Sequence, residues 1–185
     1  MNSKCVAIIG GSCSGKTTLI EFLSEKGYAT LPEAAQLAIN RLTQEMGASA
    51  LATWCPNHIA EFQSAIAKMQ AALEMGVTST CDSYVFCDGA LLDPLGYCRY
   101  FNATPTLEHQ EITAAHHYHA IFALESLEVF TPRLKAGRVS DKESSCLIGQ
   151  ILRQVYTEAG YSVVDVPRML VEDRASFILE RLNVL

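Results

Sequence analysis

Short apolar runs alternate with longer stretches of helical spacing along the whole chain. Five runs read as strands: Cys5–Ile9, Tyr28–Leu31, Tyr84–Asp88, His119–Leu124 and Ser162–Val166. Each closes on Gly, Pro or an acidic residue, the punctuation expected of short buried strands. Between them, apolar residues recur at three- and four-residue steps. Leu19, Ile20 and Leu23 mark a helix over Lys16–Lys26, stopped by Gly27. Pro32 introduces a helix over Glu33–Met46. Residues 47–57, with Gly47, Ser49, Pro56 and Asn57, read as a connection. Asn57 then caps a helix over His58–Met75, whose apolar face is Ile59, Phe62, Ile66, Met69 and Leu73. Leu91–Tyr100 reads as a short helix with Asp93 as N-cap and Pro94 at the first helical position. Thr106–Ala115 has a helical pattern. Asp141 or Ser140 caps a helix to about Ala159 with Leu147, Ile151, Leu152 and Val155 inward, and Val171–Leu185 is the last helix. This alternation predicts an α/β fold, a parallel sheet of five strands with helices on both faces.

Composition narrows the class. The 185 residues suit one domain, 1–185, and no repeat, low-complexity tract or linker divides them. A hydrophobic fraction of 49% and a charged fraction of 18% describe a globular chain with a substantial core. The net charge of −6 argues against general nucleic-acid or anionic-membrane binding. No apolar run approaches the roughly 20 residues of a membrane span. The chain enters its first strand after Met1-Asn-Ser-Lys4, which predicts no secretory signal and a cytoplasmic location. The 7 cysteines contain no C-x-x-C pair, so reduced thiols are expected.

The chemistry concentrates after the first strand. Gly10-Gly11-Ser12-Cys13-Ser14-Gly15-Lys16-Thr17 fits G-x-x-x-x-G-K-[ST] at every fixed position, between a strand and a helix. Its glycines let the backbone N–H groups converge on a phosphate, and the following helix adds its positive end. Lys16 is placed for the β- and γ-phosphates, Thr17 for Mg²⁺, and Thr18 continues the loop. The pattern predicts a three-layer P-loop protein binding a nucleoside triphosphate with Mg²⁺. Cys13, beside Lys16 and a helix start, reads first as a passive small residue and alternatively as an oxidisable thiol.

Other candidates lie at strand ends. Asp88 closes the third strand, where a carboxylate can hold Mg²⁺ or act as base toward a hydroxyl; it can also be a turn residue. Glu33 follows the second strand and reads equally as a helix cap or as a crevice carboxylate. Gln63 and Gln70 read as solvated helix residues, with a pocket wall as the alternative. Arg133, Lys135, Arg138 and Lys142 cluster in residues 131–142, a candidate lid over the triphosphate or else a solvated loop. Arg133 would bind nucleotide there and Arg138 would steady the transferring phosphoryl group. His116, His117 and His119 lack the spacing of a metal site.

Five segments together carry a resemblance: the loop through Leu19, Gly27–Ala35, Tyr84–Tyr97, Tyr118–Glu125 and Tyr156–Leu179. The most particular are Pro32-Glu33 and the Asp88–x5–Pro94–x2–Tyr97 spacing. Over nearly its whole length the chain resembles small AAA-type ATP-binding, kinase-like proteins related to the ribosylnicotinamide kinase domain of bacterial NAD regulators. The resemblance implies strand order 2-3-1-4-5, ATP and Mg²⁺, with Lys16 and Thr17 on phosphates and metal. It implies Glu33 and Asp88 in the acceptor pocket and Arg138 in the lid. The chain departs from that family at Gly89 and Gln36, where arginines are usual. Their loss favours a neutral or altered acceptor.

Two functions follow. One is a kinase moving the γ-phosphoryl of ATP to an unidentified small, nucleoside- or nucleotide-like acceptor. The other is an ATP-dependent switch or scaffold with slow hydrolysis and no small acceptor. No N-K-x-D motif favours a GTPase. A homodimer stays open.

Overall fold

The computed structural model describes residues 4–78, 84–114, 117–128 and 141–184. Its strands are β1 (Lys4–Ile9), β2 (Ala29–Leu31), β3 (Tyr84–Asp88), β4 (Ala120–Leu124) and β5 (Val163–Val166). They form one parallel sheet in the order β2-β3-β1-β4-β5, as expected from the sequence. The helices are α1 (Lys16–Glu25), α2 (Ala34–Met46), α3 (Ala48–Trp54), α4 (Ile59–Thr78), α5 (Asp93–Tyr100), α6 (Leu107–Ala114), α7 (Lys142–Glu158) and α8 (Val171–Leu182).

The central strand is apolar on both faces because helices cover both. Cys5, Ala7 and Ile9 of β1 pack with Cys87, Ile121, Leu152 and Tyr156 under α4, α5 and α7. Val6 and Ile8 face the other way, onto Phe86, Phe122, Leu19, Leu23 and Ile178 under α1 and α8. A third cluster joins α2, α3 and α4 through Ala38, Leu51, Cys55, Phe62 and Ile66. It forms the flank on which one wall of the site stands.

Four local expectations are corrected. Residues 47–57 are not a plain connection: α3 and a 3-10 turn, Cys55–Asn57, fill them. Leu51 and Cys55 are buried there, and that burial outweighs the turn signals of Gly47 and Pro56. Asn57 does not cap α4; it lies in the 3-10 turn and donates its amide to the Thr53 carbonyl at 2.9 Å. Asp93 is the first residue of α5 rather than its cap, a position held by Leu92. The inward face of α7 also differs. Leu147 is exposed and Ile148 is buried, because α7 presents Ser145, Ile148 and Leu152 to the sheet and its loops. Asp141 does cap α7, accepting from the Ser144 N–H at 2.7 Å.

Candidate active site

The chain leaves β1 at Gly10, φ 147°, and turns through Cys13, φ 59°, and Gly15, φ 89°, before α1 begins. Left-handed residues in such a loop aim successive N–H groups into one concavity, which suits an anion. Lys16 Nζ crosses that concavity and donates to the carbonyls of Gly10 and Gly11 at 2.8 and 2.9 Å. The loop is held from behind. Ser145 Oγ donates to the Ser12 carbonyl at 2.6 Å. A Cβ on Gly11 would lie 2.0 Å from the Ser145 carbonyl oxygen, so only glycine allows this approach.

Arg174 completes the support. It is 2% exposed and donates to the Ser14 carbonyl at 2.7 Å and to the Glu125 carbonyl at 3.4 Å. It thus joins α8 to the loop and to the exit of β4. Sequence reasoning missed this residue. The available signal was a charge in line with Ile178 and Leu182 on the apolar stripe of α8.

Opposite the loop, the pairing of Ile8 with Asp88 brings the end of β3 beside α1. Thr17 Oγ1 donates to Asp88 Oδ2 at 2.8 Å. Two hard oxygen donors next to a phosphate loop are a donor set suited to Mg²⁺.

A cavity of about 370 Å³ extends from this point. Gly10, Ser12, Cys13, Gly15, Lys16, Thr17 and Thr18 line its phosphate end. Glu33, Gln63, Gln70, Asp88 and Asp93 line the cavity as well, Asp88 directly against Thr17. Gly11 and Ser14 complete the loop behind these residues. Glu33 holds the N-cap position of α2 without a side-chain cap bond and also lines the cavity. Gln63 and Gln70 are each 2% exposed and are not solvated helix residues. They sit one above the other on the face of α4 that α2 and α5 cover. Asp93 is a further residue that sequence reasoning had assigned differently. Burial raises its carboxyl to about 7, against opposing effects of the Tyr156 hydroxyl and the Lys16 ammonium. Among the described lining residues, Lys16 alone is cationic.

Arg133, Lys135 and Arg138, with residues 131–140 of the expected lid, lie outside the described residues, as does His116. Gln36 donates to Asn40 along the surface of α2 and does not line the cavity. Among the described residues no group of His, Cys, Asp or Glu could by itself hold a metal, no cysteine is in a disulfide, and no helix is long and apolar enough to cross a membrane.

A family model described as an AAA domain matches residues 5–174. The chain belongs to this AAA domain family. No curated protein sequence matches it. Solved structures supply the fold. NadR in complex with NAD and AMP-PNP superposes with a TM-score of 0.68 at 15% identity, over 99% of this chain and 50% of that one. Thymidylate kinase from Candida albicans gives 0.66 at 11%, over 99% and 92%. Deoxyadenosine kinase from M. mycoides, bound to dCMP and dCDP, gives 0.63 at 13%, over 98% and 100%. This AAA-domain chain therefore has the fold of P-loop nucleoside and nucleotide kinases. The expected resemblance and strand order are both borne out.

Proposed function

We propose that this protein is an ATP- and Mg²⁺-dependent phosphotransferase whose acceptor is a small nucleoside-like molecule without a phosphate group. One observation carries the reading: a single cavity joins the phosphate loop to a wall of carboxylates and amides. A triphosphate in the loop would direct its γ-phosphoryl group along that cavity. Lys16 would exchange its two carbonyl partners for phosphate oxygens, and the loop N–H groups of Gly10–Thr18 would cradle them. Thr17 and Asp88 would hold the magnesium ion, which neutralises phosphate charge when bound. Glu33 and Asp88 are the carboxylates placed to orient and deprotonate an acceptor hydroxyl.

The absence of phosphate from the acceptor follows from charge. Gly89 stands where the family resemblance implies arginine. It has φ 81°, and a Cβ there would lie 3.0 Å from Asp93 Oδ2. A carboxylate thus crowds the place where a phosphate-binding arginine would project. The solved complexes of NadR with NR and of deoxyadenosine kinase with dCMP support a nucleoside-like occupant of this fold.

The test is a turnover screen with ATP·Mg²⁺, nucleosides, ribosylnicotinamide and the corresponding monophosphates, read by mass. Phosphorylated nucleosides that vanish with Lys16→Ala are expected. Hydrolysis of ATP with no phosphorylated acceptor would overturn the reading in favour of a switch, and transfer only to monophosphates would overturn the acceptor class.

A further inference from the structure

Two backbone N–H groups in the turn between β3 and α5 start two parallel hydrogen-bond chains. Leu91 N–H donates to the Tyr118 hydroxyl at 2.7 Å, and Tyr118 donates to Glu74 Oε1 at 2.6 Å. Gln70 Nε2 donates to the same Glu74 oxygen at 2.8 Å. Beside this, Leu92 N–H donates to the Tyr156 hydroxyl at 3.3 Å, and Tyr156 donates to Asp93 Oδ1 at 2.9 Å. The two tyrosine rings meet edge to face with centroids 6.3 Å apart.

The direction of each chain is set at its start, because a backbone N–H can only donate. A tyrosine that accepts there has one proton and passes it on to the carboxylate. Glu74 is 2% exposed and takes donors from two sides. A flipped Gln70 would set its carbonyl oxygen against the Glu74 oxygen, a repulsion made severe by burial. The amide is therefore locked with its NH₂ toward Glu74. That turns its carbonyl oxygen away from Glu74; Gln70 lines the cavity, and its one hydrogen bond among the described residues is the amide donation to Glu74. Asp93, oriented by the second chain, lines the same cavity.

We propose that Gln70 is a specificity-determining residue that reads an N–H donor on the acceptor, an exocyclic amino or carboxamide group, and that Glu74 and Tyr118 are positioning residues that fix its polarity. The proposal rests on the acceptor-pocket reading above and adds which functional group is recognised. An analogue with a keto oxygen in place of the amino group would bring two acceptors together and leave both without a proton.

The test uses matched pairs that differ at that group, adenosine against inosine and cytidine against uridine, with the full chain and a non-hydrolysable ATP analogue with Mg²⁺. Binding is read by calorimetry, and transfer by product mass in a parallel reaction with ATP·Mg²⁺ in place of the analogue. The wild-type protein is expected to bind the amino member of at least one pair tenfold or more tightly. Glu74→Leu removes the acceptor that fixes the amide and frees Gln70 to turn. Its amino-to-keto ratio should fall toward one, mainly through tighter keto binding, a change that a merely structural role would not produce. Gln70→Leu, which removes the reading carbonyl, should bring the ratio toward one through weaker amino binding if Glu74→Leu does not fold. Equal binding within both pairs by the wild-type protein, keto preference in both, or no binding of any probe overturns the proposal. So does a ratio unchanged in the folded variants. Selective binding without transfer instead overturns the kinase reading and leaves the recognition standing.

Discussion

Thr17 gives its hydroxyl proton to Asp88 across 2.8 Å and joins the first turn of α1 to the end of β3. The two residues are 71 positions apart in the chain, and the β1–β3 register is what brings them together. If they hold the metal and Asp88 also faces the acceptor hydroxyl, Asp88→Asn should lower turnover about 10²-fold or more while nucleotide affinity stays within a few-fold. Product formation and calorimetric ATP binding, measured on the same preparation, check this. Unchanged turnover would remove Asp88 from the reaction.

The close seat of the phosphate loop on α7 leads to a stability prediction. A methyl group on Gly11 would collide with backbone, the Ser145 carbonyl at 2.0 Å, rather than with a side chain able to swing away. Gly11→Ala should destabilise the protein by about 3 kcal/mol, a fall in melting temperature of about 6–12 °C. A melting curve within a degree of wild type would mean that α7 does not press on the loop.

Arg174 acts as a strut rather than as a contact to ligand. Removing its guanidinium would leave the Ser14 and Glu125 carbonyls without this donor in a buried place. Arg174→Met should cost about 2 kcal/mol in urea unfolding and weaken ATP binding, because Ser14 lies in the loop. Arg174→Lys, whose single ammonium cannot fork to both carbonyls, should recover part of the stability. Wild-type stability in Arg174→Met would sink the strut.

Asp93 makes the stability of the ligand-free protein depend on pH. Its folded value of about 7 lies above the ordinary 3.8 because burial disfavours the charge. Tyr156, Lys16 and Asp88 are the groups that act on it. The folded state therefore binds this proton more tightly than the unfolded state. The stabilisation is fully present below pH 3.8, declines as pH rises and is lost above about 7. Asparagine cannot ionise, so Asp93→Asn should gain on wild type as pH rises from 5 to 8. A melting-temperature difference that widens by about 3 °C or more is expected. A flat difference would show Asp93 ionised throughout.

The loop Gly10–Thr17 was legible because its chemistry is contiguous: glycines, lysine and hydroxyl act within one turn of chain, and spacing alone determines their roles. The strands were legible for a related reason, since each is a short apolar run closed by a turn residue. Asp88 and Glu33 could be singled out because the ends of parallel strands open on a crevice. That local logic failed at residues 47–57, where Gly47, Pro56 and Asn57 suggested a connection and the burial of Leu51 and Cys55 imposed helix.

The sequence by itself thus determined the strand–loop–helix that receives phosphate, the alternation that makes the sheet parallel, and two of the carboxylates of the site. The tertiary structure alone decided which polar side chains enter the cavity. Gln63 and Gln70 would look the same on a solvated face, and Asp93 has the sequence of a helix cap. Arg174, Glu74, Tyr118 and Tyr156 come from four separate segments. Their burial, and with it the direction of every hydrogen bond they make, depends on which face of each helix meets its neighbour. Distant segments set that property, and no local pattern encodes it.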